Sequence, residues 1–276
     1  MAIDYSQLPL GKQTAYCDRY DPALLVAVPR AQTRHALPGD ALTLPFCGHD
    51  AWTGYELSWL GHNGKPQAAT LLLQYDARTP AIVESKSLKL YLNSFNQTPA
   101  DSAVALQALI QHDVGNIVGG TVQAEILSAA DEPRLAIRPW QDRCIDALDI
   151  TIDRYEIDAG LLHCQAGEIA EQTVVSHLLR SNCPVTAQPD WASVRIHYRG
   201  QPIDEASLLR YICSFRLHQG FHEQCIERMF CDIWQQCRPE RLGIEGRFTR
   251  RGGLDINPFR ASHADMQATH ARQLRQ

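Results

Sequence analysis

Hydrophobic and polar positions change period several times along this chain. Residues 55–59 and 69–75 alternate with a period of two, and the cluster His62-Asn63-Gly64 between them supplies turn residues, which predicts a β-hairpin. The period then lengthens: Leu88, Tyr91, Leu92 and Phe95 fall at helical spacing within 84–95. A second helix is predicted over 101–112, capped by Asp101 or Ser102 and carrying Val104, Leu106, Leu109 and Ile110. Residues 121–128 alternate again, as a strand. Further along, strands are predicted at 147–152 and 194–198. Asp204 caps a helix over 204–215 with Leu208, Leu209, Ile212 and Phe215 on one side. Another helix covers 222–236, with Ile226, Met229, Phe230 and Ile233, and a strand follows at 242–249. Upstream of about Phe46 prolines are scattered and periodicity is weak, so that segment reads as a surface arm with one short apolar run at 23–28. Beyond Ala261 the composition turns polar, the sign of a trailing or docked tail.

The two series of elements are one series repeated. A shift of 120 residues aligns SLKLYLNSF, residues 87–95, with SLLRYICSF, residues 207–215, and Ser, Leu, Tyr, Ser and Phe coincide. The same shift pairs Leu106 with Ile226, Leu109 with Met229, Ile110 with Phe230, and Glu125 with Glu245. A register shared over helix, helix and strand predicts a tandem of two like folds, 1–140 and 141–276, each a strand pair, two helices and more strand. The copies differ in polar equipment. Lys86 and Lys89 of the first correspond to Ala206 and Leu209, Asn63 corresponds to Cys183, and Ser102-Ala103 corresponds to His222-Glu223. If both halves act in one site, that site is built between copies, within a chain or across a dimer.

Composition narrows the class. With 276 residues, 45% hydrophobic and 21% charged, the chain has the profile of an ordinary soluble globular protein able to bury a large core. A net charge of −5 argues against general affinity for nucleic acid or an anionic membrane. The N-terminus has no charged leader followed by an apolar run, and no stretch approaches bilayer-spanning length, so a cytoplasmic protein is expected. Nine cysteines without a CxxC pair indicate neither a disulfide framework nor a zinc knuckle.

The chemistry-bearing stretch is HLLRSNCPVTAQPDW, residues 177–191. Ser181 and Asn182 end an apolar lead-in, and Pro184 biases Cys183 towards extended backbone, so the thiol is held at the edge of a loop. Asp190 follows seven residues on, beside Trp191. A fixed thiol with a nearby acid suits covalent catalysis at an electrophilic carbon, although free cysteines are more often buried small hydrophobes and Asp190 could cap a turn. His218, His222 and Cys225 have helical metal-ligand spacing, weakened by the break at Gly220. No GxGxxG follows a strand, and GNIVGG at Gly115 has the wrong spacing, so a Rossmann loop is not expected.

ESKSLKLY, residues 84–91, fits the E-S/L-K-S/A-x-K-L/Y-Y/W signature of the NADPH-dependent 7-cyano-7-deazaguanine reductases, the QueF enzymes of queuosine biosynthesis. NCPVTAQPDW around Cys183, GFHE at 220–223 and RFTRRGGLDINP at 247–258 add to the resemblance, which covers the chain from Thr53 onward. It implies an α+β protein of tandem tunnelling-fold (T-fold) repeats, each ββααββ with an antiparallel sheet and two helices on one face, in the longer two-copy class.

The resemblance implies Cys183 as nucleophile and Asp190 as proton donor in reducing the nitrile of a purine-like base to an amine with two NADPH, through a covalent thioimide. Glu84, Glu223 and His222, with the backbone around Ile82 and Val83, are implied at the base. Glu84 also suits the first turn of a helix. Ser85 and Lys86 at a helix start, with Arg250, Arg251 and Gly252 in the second copy, suit the cofactor phosphates. No metal is expected, no direct nucleic-acid contact, and a homodimer is, because half-barrels of this fold close by association. The competing readings are a zinc-dependent purine or pterin hydrolase similar to the GTP cyclohydrolases, and a catalytically inert binding module.

Overall fold

The computed structural model describes residue 9 and residues 15–38, 44–128 and 133–276; the rest of the N-terminal arm lies outside the described residues. The chain divides into two compact units, neither of them contiguous. The first comprises 1–35, 50–136 and 250–256, and the second 36–49, 137–249 and 257–276. This differs from a single cut at 140: part of the arm belongs to the second unit, and the turn carrying Arg250, Arg251 and Gly252 belongs to the first.

In the first unit, the apolar run of the arm becomes strand only at β1 (Ala27–Pro29), followed by the short helix α1 (Arg30–Arg34). The hairpin strands are β2 (Cys47–Leu60) and β3 (Pro66–Asp76), both longer than their alternation suggested. In β2 the buried positions are even-numbered up to Gly54 and odd-numbered from Leu57, so only its last part keeps phase with the predicted strand. β4 (Ala81–Val83) pairs with β1 and leads directly into α2 (Ser85–Asn93), then α3 (Ala103–Val118) and β5 (Val122–Leu127), which pairs antiparallel with β3. Ser102 caps α3 by accepting from Ala105 N at 3.1 Å. α3 runs past 112 because Asp113, Val114 and Val118 continue its buried stripe, and it ends at Gly119, whose φ of 73° glycine adopts without penalty.

The second unit holds β6 (Arg143–Cys144), β7 (Ala170–Ser176), β8 (Arg180–Asn182), β9 (Pro189–Gly200), α4 (Glu205–Ser214), α5 (His222–Cys237), β10 (Arg241–Phe248) and β11 (Leu254–Ala261), the last shared with the first unit. The strands run β11-β10-β9-β7-β6, antiparallel except for the parallel β6–β7 pair. The strand predicted at 147–152 is instead turn and irregular chain, and strand in that region is confined to 143–144. β7 and β11 were not predicted. Every residue of β11 is buried, so no alternation marks it. Its core gathers Val194, Ile196 and Tyr198 of β9, Leu208, Leu209 and Ile212 of α4, Ile226, Met229, Phe230 and Ile233 of α5, and Ile244 and Phe248 of β10. The polar tail is docked: Gln276 Nε2 donates to Asn257 Oδ1 at 2.6 Å and to Phe248 O at 3.2 Å.

The chain is therefore mixed α+β with antiparallel sheet and few helices. Among the described residues, no helix is long and apolar enough to cross a membrane. The 120-residue shift is correct for α2 and α4 but not beyond them. α3 begins at Ala103 and α5 at His222, 119 residues on, and at that shift the buried Leu106, Ile110, Asp113, Val114 and Val118 meet the buried Cys225, Met229, Asp232, Ile233 and Cys237. In the sheet, Glu125 faces Leu72 whereas Glu245 faces Arg195, 123 residues after 72, so strand pairing departs from the shift as well.

Candidate active site

Cys183 follows the last residue of β8 and opens the turn that leads into β9. Its backbone N donates to Gln188 O at 2.8 Å, its carbonyl accepts from Ala187 N at 3.0 Å, and Thr186 N points at the sulfur, 3.4 Å away. The stem is clamped from the segment ahead of α5. Asn182 N donates to His218 O at 2.8 Å, Gly220 N donates to Asn182 O at 3.1 Å, and Asn182 Nδ2 donates to Arg216 O at 3.3 Å. A Cβ on Gly220 would stand 2.7 Å from His218 Nε2, so a larger residue there would have to displace the His218 ring. The thiol is shielded, at 3% exposure.

Asp190 pairs directly with Ser181 across β8 and β9. Asp190 and Ser181 share a face of the ladder, and Cys183 opens the turn that joins the two strands two residues beyond Ser181. Asp190 Oδ2 is 3.5 Å from His222 Nε2, at the first position of α5. The His222 ring stacks on Phe248 with centroids 3.9 Å apart and planes within 7°, and its Nδ1 is buried without a hydrogen-bond partner among the described residues. Glu223, next along, is 2% exposed. Cys225, one turn in, is a second buried thiol; burial foremost, and then the charges of Asp190 and Glu223, push it up to about 12, which makes it an inert neutral neighbour. His218 is held down at about 4, by burial first and Arg228 second.

The N-terminus of α5 is not capped by its own side chain: Phe221 has no acceptor, and the surviving half of the reciprocal arrangement is Phe221 N donating to Gln224 Oε1 at 2.7 Å. His218, His222 and Cys225 do not form a metal-ligand cluster among the described residues, because His218 sits ahead of the helix rather than on it. Sequence reasoning missed Phe248 and Ser181. Neither carries a local signal, since each joins the group only through strand pairing or ring stacking.

The signature residues lie in the first unit. Ile82 and Val83 are the buried end of β4, and Glu84 N donates to Val26 O at 2.9 Å. Glu84 caps α2: one carboxylate oxygen accepts from Lys86 N at 2.9 Å and the other from Ser87 N at 2.8 Å. Its side chain is fully buried, and desolvation raises its pKa against the lowering effect of those bonds. Ser85 and Lys86 form the first turn of α2. Arg251 and Gly252 belong to the same unit, where the position of Gly252, at φ 62°, places a Cβ 3.3 Å from Lys89 of α2; Lys89 also reaches Glu56 at 3.6 Å. Arg250 lies over the Tyr55 ring at 4.9 Å. The glycine turn therefore packs against the lysine face of α2, a relation the sequence did not show.

A turn-held thiol with a buried carboxylate on the adjoining strand has the parts of a covalent enzyme, and a basic cluster about a left-handed glycine suits an anionic group. Comparison with known proteins narrows this. Residues 16–126 match the family described as nitrile reductase, 7-cyano-7-deazaguanine-reductase N-term, and residues 189–267 match that of QueF-like proteins. The chain is 51% identical to the NADPH-dependent 7-cyano-7-deazaguanine reductase of Burkholderia vietnamiensis, over 97% of this chain and 98% of that one. It is 48% identical to the Colwellia psychrerythraea protein of the same name, over 100% and 98%. A solved structure, the archaeosine synthase QueF-Like in the apo form, aligns with 12% identity and a TM-score of 0.30, covering 35% of this chain and 95% of that one. The chain belongs to the 7-cyano-7-deazaguanine reductase family of nitrile reductases.

Proposed function

We propose that this protein reduces the nitrile of 7-cyano-7-deazaguanine to the primary amine at the expense of two NADPH, a step of queuosine biosynthesis. The observation that supports the reading is the β8–β9 pairing, whose connecting turn carries Cys183 and whose second strand carries Asp190, in a chain about half identical over its length to relatives of that name. Cys183 passes its proton to Asp190 and adds to the nitrile carbon as the thiolate. One π bond of C≡N breaks, its electron pair moves to nitrogen, and Asp190 delivers a proton there, leaving a thioimide on Cys183. NADPH, when bound, supplies hydride, twice per nitrile, while protons enter at nitrogen. After the first reduction the carbon–sulfur bond breaks and its electron pair returns to Cys183.

His222, fixed by Phe248 and Asp190, and the buried Glu223 hold the base by its polar edge, together with Glu84 and the backbone of Ile82 and Val83 in the roles the family resemblance gives them. Ser85, Lys86, Arg251 and Gly252 hold the cofactor. The basic side chains and left-handed Gly252 fit a phosphate-bearing cofactor, because a glycine there lets backbone and Lys89 approach closely. Neither zinc nor another metal takes part in this scheme, and the active protein is a homodimer.

The test is to mix the protein with nitrile and NADPH and follow cofactor oxidation against amine formed. Two NADPH per amine are expected, with no turnover in Cys183→Ala. Nitrile without NADPH should leave an adduct on Cys183 in the intact mass. Turnover in Cys183→Ala would sink the reading.

A further inference from the structure

Away from the residues just described, the second unit brings together Cys144, Asp146 and His177, one ligand-capable atom from each lying within 4.8 Å of the others. Cys144 ends the edge strand β6 and is exposed, while Asp146 follows two residues on, in the turn that ends the strand. His177 follows the last residue of β7, which β6 joins in parallel with Cys144 beside Val175. Ile145 N donates to Val175 O at 3.1 Å and holds the two segments in this register.

Their orienting contacts are already in place. Asp146 Oδ1 accepts from Ser176 Oγ at 2.6 Å and Oδ2 accepts from His177 N at 2.9 Å, which aims the carboxylate and leaves each oxygen a further lone pair. His177 Nδ1 is 2.8 Å from Ser193 Oγ, so in the tautomer where Nδ1–H donates to that hydroxyl, Nε2 presents a lone pair. A histidine tied at one nitrogen and a carboxylate tied by neighbouring donors are the outer contacts found around metal ligands.

We propose that Cys144, Asp146 and His177 form a binding site for a divalent transition-metal ion of the zinc class. Thiolate, imidazole and carboxylate together suit a borderline-soft ion with tetrahedral preference, the fourth position going to water. A hard ion such as magnesium or calcium would want oxygen ligands throughout. A thiol–imidazole–carboxylate relay fits the contacts less well. There the carboxylate would accept from a ring nitrogen, whereas the donors to Asp146 are a hydroxyl and a backbone N–H, and His177 Nδ1 is engaged by Ser193 Oγ instead. Binding would tie the two-residue edge strand β6 to the end of β7 and raise the stability of the folded chain by mass action.

Titration of tag-free, chelator-treated full-length protein with Co2+ alone tests this. The expected result is a near-ultraviolet thiolate-to-cobalt charge-transfer band saturating at one equivalent per chain and displaced by Zn2+, with Zn2+ raising the melting temperature. Cys144→Ser should abolish the band and the Zn2+-dependent shift while nitrile reduction and the circular dichroism stay unchanged. Asp146→Asn and His177→Gln should weaken binding about 10- to 100-fold, and Cys183→Ala should retain it. No saturable band, a band that survives Cys144→Ser, or one lost with Cys183→Ala would overturn the proposal.

Discussion

The helical hairpin α2–α3 and its counterpart α4–α5 share a scaffold down to single hydrogen bonds and part company at one helix end. Tyr91 Oη donates to Asp113 Oδ2 at 2.7 Å, and Tyr211 Oη donates to Asp232 Oδ2 at 2.7 Å. Ser87 Oγ donates to the carbonyl of the N-cap Glu84, and Ser207 Oγ to that of the N-cap Asp204; Ser94 and Ser214 each donate to the carbonyl three residues back. At the start of the second helix the likeness stops. Ser102 caps α3, and Val104 in its first turn is 74% exposed. α5 has Phe221 in place of the capping serine and Glu223, 2% exposed, in place of Val104. A capped, solvent-facing helix start is ordinary surface. A start whose cap residue offers no side-chain acceptor, and whose first turn holds a partly shielded histidine and a buried carboxylate, gives up local stability for polar groups held out of water, which supports the binding role proposed for them.

The largest effect expected from breaking this contrast is on activity. Glu223→Gln should lower kcat/KM about 10- to 100-fold, the loss of one charge-assisted hydrogen bond, whereas Val104→Glu at the corresponding place in α3 should leave it within about twofold. Steady-state kinetics on both variants decides, and equal effects would remove the distinction.

Comparable in free energy, but on stability rather than turnover, is a pH effect centred on His218 of the second unit. His218 is held down at about 4 in the folded chain against an ordinary value near 6.5. Between these values the unfolded chain binds the extra proton, so stability should fall as pH drops from about 6.5 through 4, by on the order of 2–3 kcal/mol. Urea midpoints at pH 7.5 and 4.5 measure it, and His218→Gln should flatten the difference.

Smaller still, Tyr91→Phe and Tyr211→Phe should each cost about 1–2 kcal/mol, because a buried carboxylate loses one donor while keeping another, Tyr20 for Asp113 and Arg228 for Asp232. Unequal costs in chemical denaturation would show that the two scaffolds are alike only in geometry. Least of all, Ser102→Ala should destabilise α3 by about 1 kcal/mol without changing turnover.

Much of this was legible in one dimension. The helical spacing of Leu88, Tyr91 and Leu92, the cap at Asp204, the choice of Asp101 or Ser102 for α3, the place of Glu84 at a helix start and the turn after Asn182 are written within a few neighbouring residues, because helix and turn preferences act over that range. The likeness of the two helical hairpins could be read for the same reason. Tertiary structure alone decided what depends on distant partners. It fixed the 119-residue register of the second helices, made strands of the fully buried β11 and the unpredicted β7, and left 147–152 irregular. It stacked His222 on Phe248, turned Gly252 against Lys89, and gathered Cys144, Asp146 and His177 at the ends of two paired strands. Sheet pairing and burial on both faces leave no short-range period to read, so those placements are settled only when remote segments compete for the same hydrogen bonds and the same core.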